Sequence, residues 1–259
     1  MQKGKWLLKL IILVLKGTLS PMESFNWVTA RIKPKPLSVS LRGVKFEKVD
    51  RTFWGIITDV FLNQVYNPPE YAINKNDIVI DIGAHKGAFS AYAALEGAKK
   101  IISYEPNPEN FNDLQYFILK NQFSNVAIHQ KGIGAKTGET NLFLSSTSSR
   151  HSTTSPEKLF GKHENLPVIS IETLSLTDCI NAVGGVDFLK MDCEDAERDI
   201  LLNTSHEVLS KIKKMSVEIH KPVNSTEIRD LVKHLKGSFS HIELLQPKNS
   251  QFGYIYARL

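Results

Sequence analysis

From Asp77 onward, short aliphatic runs that end in an acid or a glycine alternate with longer amphipathic stretches. That rhythm predicts strands near 77–82, 100–105, 125–130, 186–192 and 213–219, and helices near 87–97, 108–121, 175–183, 195–203 and 225–236. Regular strand–helix alternation needs helices on both faces of a mostly parallel sheet, so the expected class is α/β, a Rossmann-like doubly wound sheet. Residues 139–144 alternate apolar and polar side chains and predict an accessory strand. His241–Leu245 and Phe252–Tyr256 predict a C-terminal hairpin that closes the sheet with an antiparallel strand.

Upstream the pattern changes. Residues 21–51 are mixed and basic, and Lys33-Pro34-Lys35-Pro36 predicts an extended linker, because a residue before proline is pushed out of the helical region. Residues 52–76 carry Phe53-Trp54-Gly55-Ile56-Ile57 and Asp59-Val60-Phe61-Leu62, a covering element whose aromatic residues either pack in the core or line a pocket. The expected division is a basic extension over 1–51 and one α/β domain over 52–259. Ser145 to Glu164 is crowded with small hydroxyl residues and predicts an exposed loop, either a cover for a ligand or a surface loop without a role.

The candidate chemistry gathers where the first strand meets its helix, at Asp81-Ile82-Gly83-Ala84-His85-Lys86-Gly87, with Glu105 closing the next strand. A glycine lets backbone approach a ligand without a Cβ clash, and an acid about twenty residues on suits two ribose hydroxyls. A dinucleotide is disfavoured, since Gly-x-Gly-x-x-Gly is replaced by Asp-x-Gly-x-x-x-Gly and an acid before the turn repels pyrophosphate. Asp81 suits a ligand with positive charge near the turn, and S-adenosylmethionine offers a sulfonium and an ammonium, so Asp81 is expected near the methionine or the turn amides. Gly83 and Gly87, with Ala84, His85 and Lys86 between them, form the expected close-approach turn; Glu105 is the expected ribose ligand, with Pro106 and Asn107 flanking the adenosine.

Three blocks carry a resemblance: Asp81 to Gly87, Tyr104-Glu105-Pro106-Asn107-Pro108, and Asp187-Phe188-Leu189-Lys190-Met191-Asp192-Cys193-Glu194-Asp195-Ala196-Glu197. In that order they resemble the signature blocks of FkbM-type methyltransferases, over about Asp77 to His220. The resemblance implies a class I methyltransferase sheet, S-adenosylmethionine as cofactor, and O-methylation of a hydroxyl on a sugar, glycan or secondary metabolite. His85 stands where the family commonly has Asn, and Asp195 where it commonly has Gly. N-methylation, or a cofactor-binding protein without acceptor chemistry, are the alternative functions.

On the acceptor side, Asp192 ends the fourth strand and would face the methionine ammonium or the acceptor. Asp192, Glu194, Glu197 and His220 are the candidate bases for the acceptor proton. Glu194 and Glu197 also suit a helix's first turn, and His220 equally suits a structural role. No metal is expected from the spacing, although such carboxylates could hold Mg²⁺ or Ca²⁺.

Charge and cysteine content narrow the setting. Residues 1–51 carry eleven Lys or Arg against three acids, a net +8, whereas residues 52–259 are net −3. Nucleic acid binding by residues 52–259 therefore has little electrostatic support, because phosphate neutralisation needs clustered basic side chains. Cys179 and Cys193 form no Cys-x-x-Cys pair, so structural zinc is not indicated and a cytoplasmic setting is expected. Trp6 to Leu15 is an apolar run interrupted by Lys9, too short to span a bilayer. It reads as an interfacial helix that associates residues 1–20 with a membrane surface, as a helix packed on protein, or as a signal segment with a poor cleavage site.

Overall fold

A computed structural model of the 259-residue chain describes residues 37–144, 154, 166–247, 250 and 252–259. Residues 1–20, the Lys33–Pro36 stretch and nearly all of the 145–164 loop lie outside the described residues.

A seven-stranded sheet organises the fold, in the order β11-β12-β10-β9-β3-β4-β5. Its strands are β3 (Ile78–Ile82), β4 (Lys100–Tyr104), β5 (Val126–His129), β9 (Val186–Met191), β10 (Ile212–Ile219), β11 (His241–Leu245) and β12 (Gly253–Arg258). β3 pairs parallel with β4 on one side and β9 on the other, so the chain winds outward in both directions from the β3–β9 seam. β12 lies antiparallel between β10 and β11, which realises the expected C-terminal hairpin. This is the doubly wound α/β sheet with a C-terminal antiparallel strand expected from the sequence. Helices α2 (Ala88–Leu95), α3 (Pro108–Lys120), α4 (Leu176–Val183), α5 (Glu197–Leu202), α6 (His206–Leu209) and α7 (Thr226–Leu235) cover the two faces. The sheet separates one apolar cluster, holding Val79, Ile101 and Phe188, from another holding Ile80, Ile102 and Leu189, because successive side chains of a strand point to opposite faces.

Several elements were not expected. Residues 37–49, within the stretch read as a basic extension, form a hairpin of β1 (Leu37–Leu41) and β2 (Val44–Val49). Arg42 and Gly43 turn it with positive φ at both positions, the backbone of a type I′ turn. Phe46 of β2 is fully buried, its ring 6.0 Å from Phe53, 5.6 Å from Phe61 and 5.1 Å from Phe117, so the hairpin belongs to the core of the domain. After α1 (Arg51–Ile57), Thr58–Asn63 continue as a π-helix, and Gln64 ends it in the left-handed region. A three-stranded sheet, β6 (Gly132–Gly134), β8 (Val168–Ser175) and β7 (Gly138–Phe143), receives the expected accessory strand as β7.

The register of the large sheet does something the apolar runs conceal. Asp81 stands beside Ser103 of β4 and Lys190 of β9, Lys190 beside Ser216 of β10, and Ser216 beside Tyr256 of β12. Side chains two residues apart share a face. A second polar row therefore lies beyond the first, toward the strands' carboxyl ends: Glu105, Asp192, Glu218 and Tyr254, with Gly83 in the place that follows Asp81.

Candidate functional site

The second row, with Lys190 of the first, lines a cavity of about 490 Å³ at the carboxyl ends of β3, β4, β9 and β10. This is where an open α/β sheet binds its ligand, at the point where strand order reverses, and the volume lies in the range of small-molecule sites. Gly83 makes the geometry possible. Its φ is +72°, and a Cβ there would stand 1.8 Å from the Asp192 carbonyl oxygen. Only glycine lets the loop after β3 pass this close to the loop after β9.

Glu105 is buried at the cavity wall, with its carboxylate tied back to the neighbouring turns. Oε2 accepts from the His85 amide at 2.8 Å, and Oε1 accepts from the Asn107 amide at 2.9 Å. Burial pushes its pKa up to about 7, against the opposing pull of those amides. Ile133, Leu142 and Ile171 form an apolar wall of the same cavity, suited to the face of a purine.

Asp81 is fully buried. Ser90 Oγ donates to its Oδ2 at 2.7 Å, and Lys190 Nζ lies 3.3 Å from Oδ1. Lys190 also donates to the carbonyls of Gly83 at 2.7 Å and Ile82 at 3.1 Å. Burial disfavours its charge, yet the Asp81 and Asp192 carboxylates hold its pKa above the ordinary lysine value. Asp81 thus acts on the turn through Lys190 and does not line the cavity: of its two expected places it is at the turn, through a lysine and not through the amides, and not beside the methionine. Lys86 points away, 3.1 Å from Asp113, and Gly87 packs against Leu114 and Phe117. Asn107 caps α3, its side chain accepting from the Glu109 amide at 2.9 Å. Gly83, Ala84, His85, Glu105 and Pro106 do line the cavity.

The opposite wall is acidic. Tyr66 sends its hydroxyl between two carboxylates, 2.9 Å from Asp192 Oδ2 and in short contact with Glu218 Oε2. One phenolic proton cannot serve two ionised carboxylates. Burial, with the Asp192 charge beside it, raises the Glu218 pKa to about 8, so Glu218 carries the second proton near neutrality. His220 follows on the same strand face, its Nε2 3.4 Å from Glu194 and its Nδ1 3.7 Å from Glu197. Burial works against the imidazolium, but Glu197, Asp192 and Glu194 together lift its pKa to about 9. Glu197 is itself buried, which raises its pKa to about 7, and its Oε1 accepts from the Cys193 amide at 2.5 Å. The four expected acceptor-side residues therefore come together, although Glu197 sits behind the cavity surface. Thr154, from the serine- and threonine-rich segment, also reaches the cavity.

Lys190, Tyr66 and Glu218 were absent from the residues singled out by sequence. A signal existed for two of them: Lys190-x-Asp192 and Ser216-x-Glu218-x-His220 place polar residues at strand period inside apolar runs. Tyr66 gave none, because its partners are 126 and 152 residues away. The two departures noted above fall on strained backbone, with φ of +50° at His85 and +82° at Asp195. Asn and Gly are the residues that tolerate this region best.

A family model of the methyltransferase FkbM domain matches residues 81–256. Similar solved structures include the methyltransferase FkbM from Methylobacillus flagellatus KT, 16% identical, with 70% of this chain and 43% of that one covered and a TM-score of 0.47. An rRNA methylase from Streptococcus thermophilus is 11% identical, with 81% and 97% covered and a TM-score of 0.44. Precorrin-6y C5,15-methyltransferase from Geobacter metallireducens GS-15 is 10% identical, with 73% and 82% covered and a TM-score of 0.42. The chain spans less than half the length of the first of these. No curated protein matches it significantly.

Proposed function

Because the chain belongs to the FkbM methyltransferase family, we propose that it transfers a methyl group from S-adenosylmethionine to a hydroxyl of a sugar, glycan or secondary metabolite. The observation that carries this reading is one cavity with a glycine turn and a buried carboxylate on one wall and a cluster of proton-accepting groups on the other. The donor set fits the cofactor: Glu105 for the ribose hydroxyls, the backbone of Gly83 to His85 for the methionine end, and the apolar wall for the base.

The bound cofactor supplies an already activated methyl group. The protein's own work is alignment, which can contribute on the order of 7–11 kcal/mol, and disposal of one proton. Lys190 holds the Gly83 turn in place from below. Asp192, fixed by Tyr66, is the group placed to orient an acceptor hydroxyl and receive its proton, while His220, between Glu194 and Glu197, can receive one only after giving up its own. An acceptor that is not a nucleic acid agrees with the net −3 charge of residues 52–259. Among the described residues no helix is long and apolar enough to cross a membrane, and association of residues 1–20 with an anionic membrane surface remains part of the proposal.

Calorimetry with S-adenosylmethionine, followed by transfer of labelled methyl to fractionated cell extracts, tests the reading. Glu105→Ala should weaken cofactor binding at least roughly tenfold, the loss of one or two hydrogen bonds to a charged acceptor. Unchanged affinity in a folded variant excludes Glu105 as the ribose ligand.

A further inference from the structure

Asp192, Glu197 and His220 present one ligand atom each within 4.8 Å of one another. Clusters of acids are common on protein surfaces, but this one is different in two respects. The His220 side chain is only 9% exposed, and its Nδ1 has no hydrogen-bond partner, facing Glu197 Oε1 at 3.7 Å. An orphaned buried ring nitrogen is costly unless something occupies it. The other ring nitrogen, Nε2, lies 3.4 Å from Glu194 Oε2. A histidine whose one nitrogen faces a carboxylate while the other faces a cluster of ligand atoms has the arrangement of a metal ligand with its orienting partner.

The distances suit an ion. Two ligands about 2.1 Å from a metal can stand up to about 4.2 Å apart, so the His220–Glu197 pair at 3.7 Å already fits, and no pair, all being within 4.8 Å, needs to close by more than about 0.6 Å. Charge points the same way. Asp192, Glu194 and Glu197 surround the space, while the adjacent lysine, Lys190, is nearer to Asp81 at 3.3 Å than to Asp192 at 3.9 Å. Imidazole with two carboxylates favours a first-row divalent ion over Mg²⁺ or Ca²⁺, which prefer oxygen alone.

We propose that Asp192, Glu197 and His220 bind one divalent first-row metal ion of the manganese or zinc type, and that Glu194 orients the His220 ring toward it. Its position at the acidic wall would let it hold the acceptor oxygen; the O–H bond then breaks with its electron pair left on the metal-held oxygen and its proton passed to water. That role rests on the methyltransferase reading, whereas the metal site itself does not.

The test uses the full chain stripped with EDTA and titrated with Mn²⁺, followed by electron paramagnetic resonance, with calorimetric titration of S-adenosylmethionine run separately. One Mn²⁺ per chain is expected, displaced by Zn²⁺, with spin-echo modulation from one imidazole nitrogen. His220→Gln and Glu194→Gln should each weaken binding about tenfold or more. Absence of stoichiometric binding, or bound Mn²⁺ without a nitrogen coupling, overturns the site, and the spectroscopic result decides from the wild-type protein even if both variants fail to fold. Failure to bind S-adenosylmethionine while Mn²⁺ binds overturns the methyltransferase reading alone.

Discussion

Lys190→Met removes the ammonium that joins Asp81 to the turn at Gly83 while keeping an unbranched side chain of similar length. Asp81 is 0% exposed and would keep only the Ser90 hydroxyl, and the carbonyls of Ile82 and Gly83 would each lose a donor. Removing one partner of a buried ion pair costs about 3–5 kcal/mol, because the remaining charge has no solvent to return to. With a denaturant slope near 2–3 kcal/mol/M, that is a fall of roughly 1–2.5 M in the urea midpoint. Asp81→Asn should rescue the variant, since a neutral amide no longer needs the cation. A double-mutant cycle should then give a coupling on the order of 2–3 kcal/mol. A coupling below about 0.5 kcal/mol, or a single variant that loses less than about 1 kcal/mol, would refute the view that this pair is held together by mutual need.

Three further outcomes are expected. Burial raises the Glu105 pKa to about 7, so its contribution to folding stability is fully present below the unfolded value near 4.5 and fades as pH rises through 7. The ribose needs the carboxylate, hence cofactor affinity should fall about tenfold per pH unit below 7 by calorimetry, and Glu105→Gln should abolish that component. Asp195→Gly relieves a left-handed non-glycine residue at φ +82° and should stabilise the protein by about 1 kcal/mol in thermal or urea unfolding; a loss of stability would show that the Asp195 side chain contributes more than its backbone costs. Asp192→Asn should lower methyl transfer by roughly 10²-fold with little change in melting temperature, and wild-type turnover would remove Asp192 from the proton path and leave His220 as the leading group.

Much of this was legible because the central strands are nearly continuous apolar runs, which is how a sheet buried on both faces is written. The strand and helix positions from Asp77 to Leu235 follow that signal closely. The β1–β2 hairpin was legible in principle, since Val39, Leu41, Val44 and Phe46 alternate around Arg42-Gly43, but the basic residues between them resembled a solvated extension. The site divides along a similar line. Glu105, Asp192 and His220 end strands and announce themselves by position, whereas Asp81 looks like a ligand residue by motif and is turned inward by Lys190. Nothing local distinguishes a carboxylate that faces a cavity from one that faces a buried lysine on the next strand.

The polar row across the sheet has a consequence for how the strands find one another. Sliding a strand by two residues leaves every apolar side chain on its proper face, so hydrophobic alternation cannot reject that error. Here a two-residue slip of β9 against β3 would set Asp81 opposite Phe188 or Asp192 in place of Lys190. Either alternative strands a buried charge, against an apolar ring or against a second carboxylate. The pair that fixes the Gly83 turn therefore also selects the alignment of the whole sheet, making correct strand pairing and a correctly shaped cavity a single event.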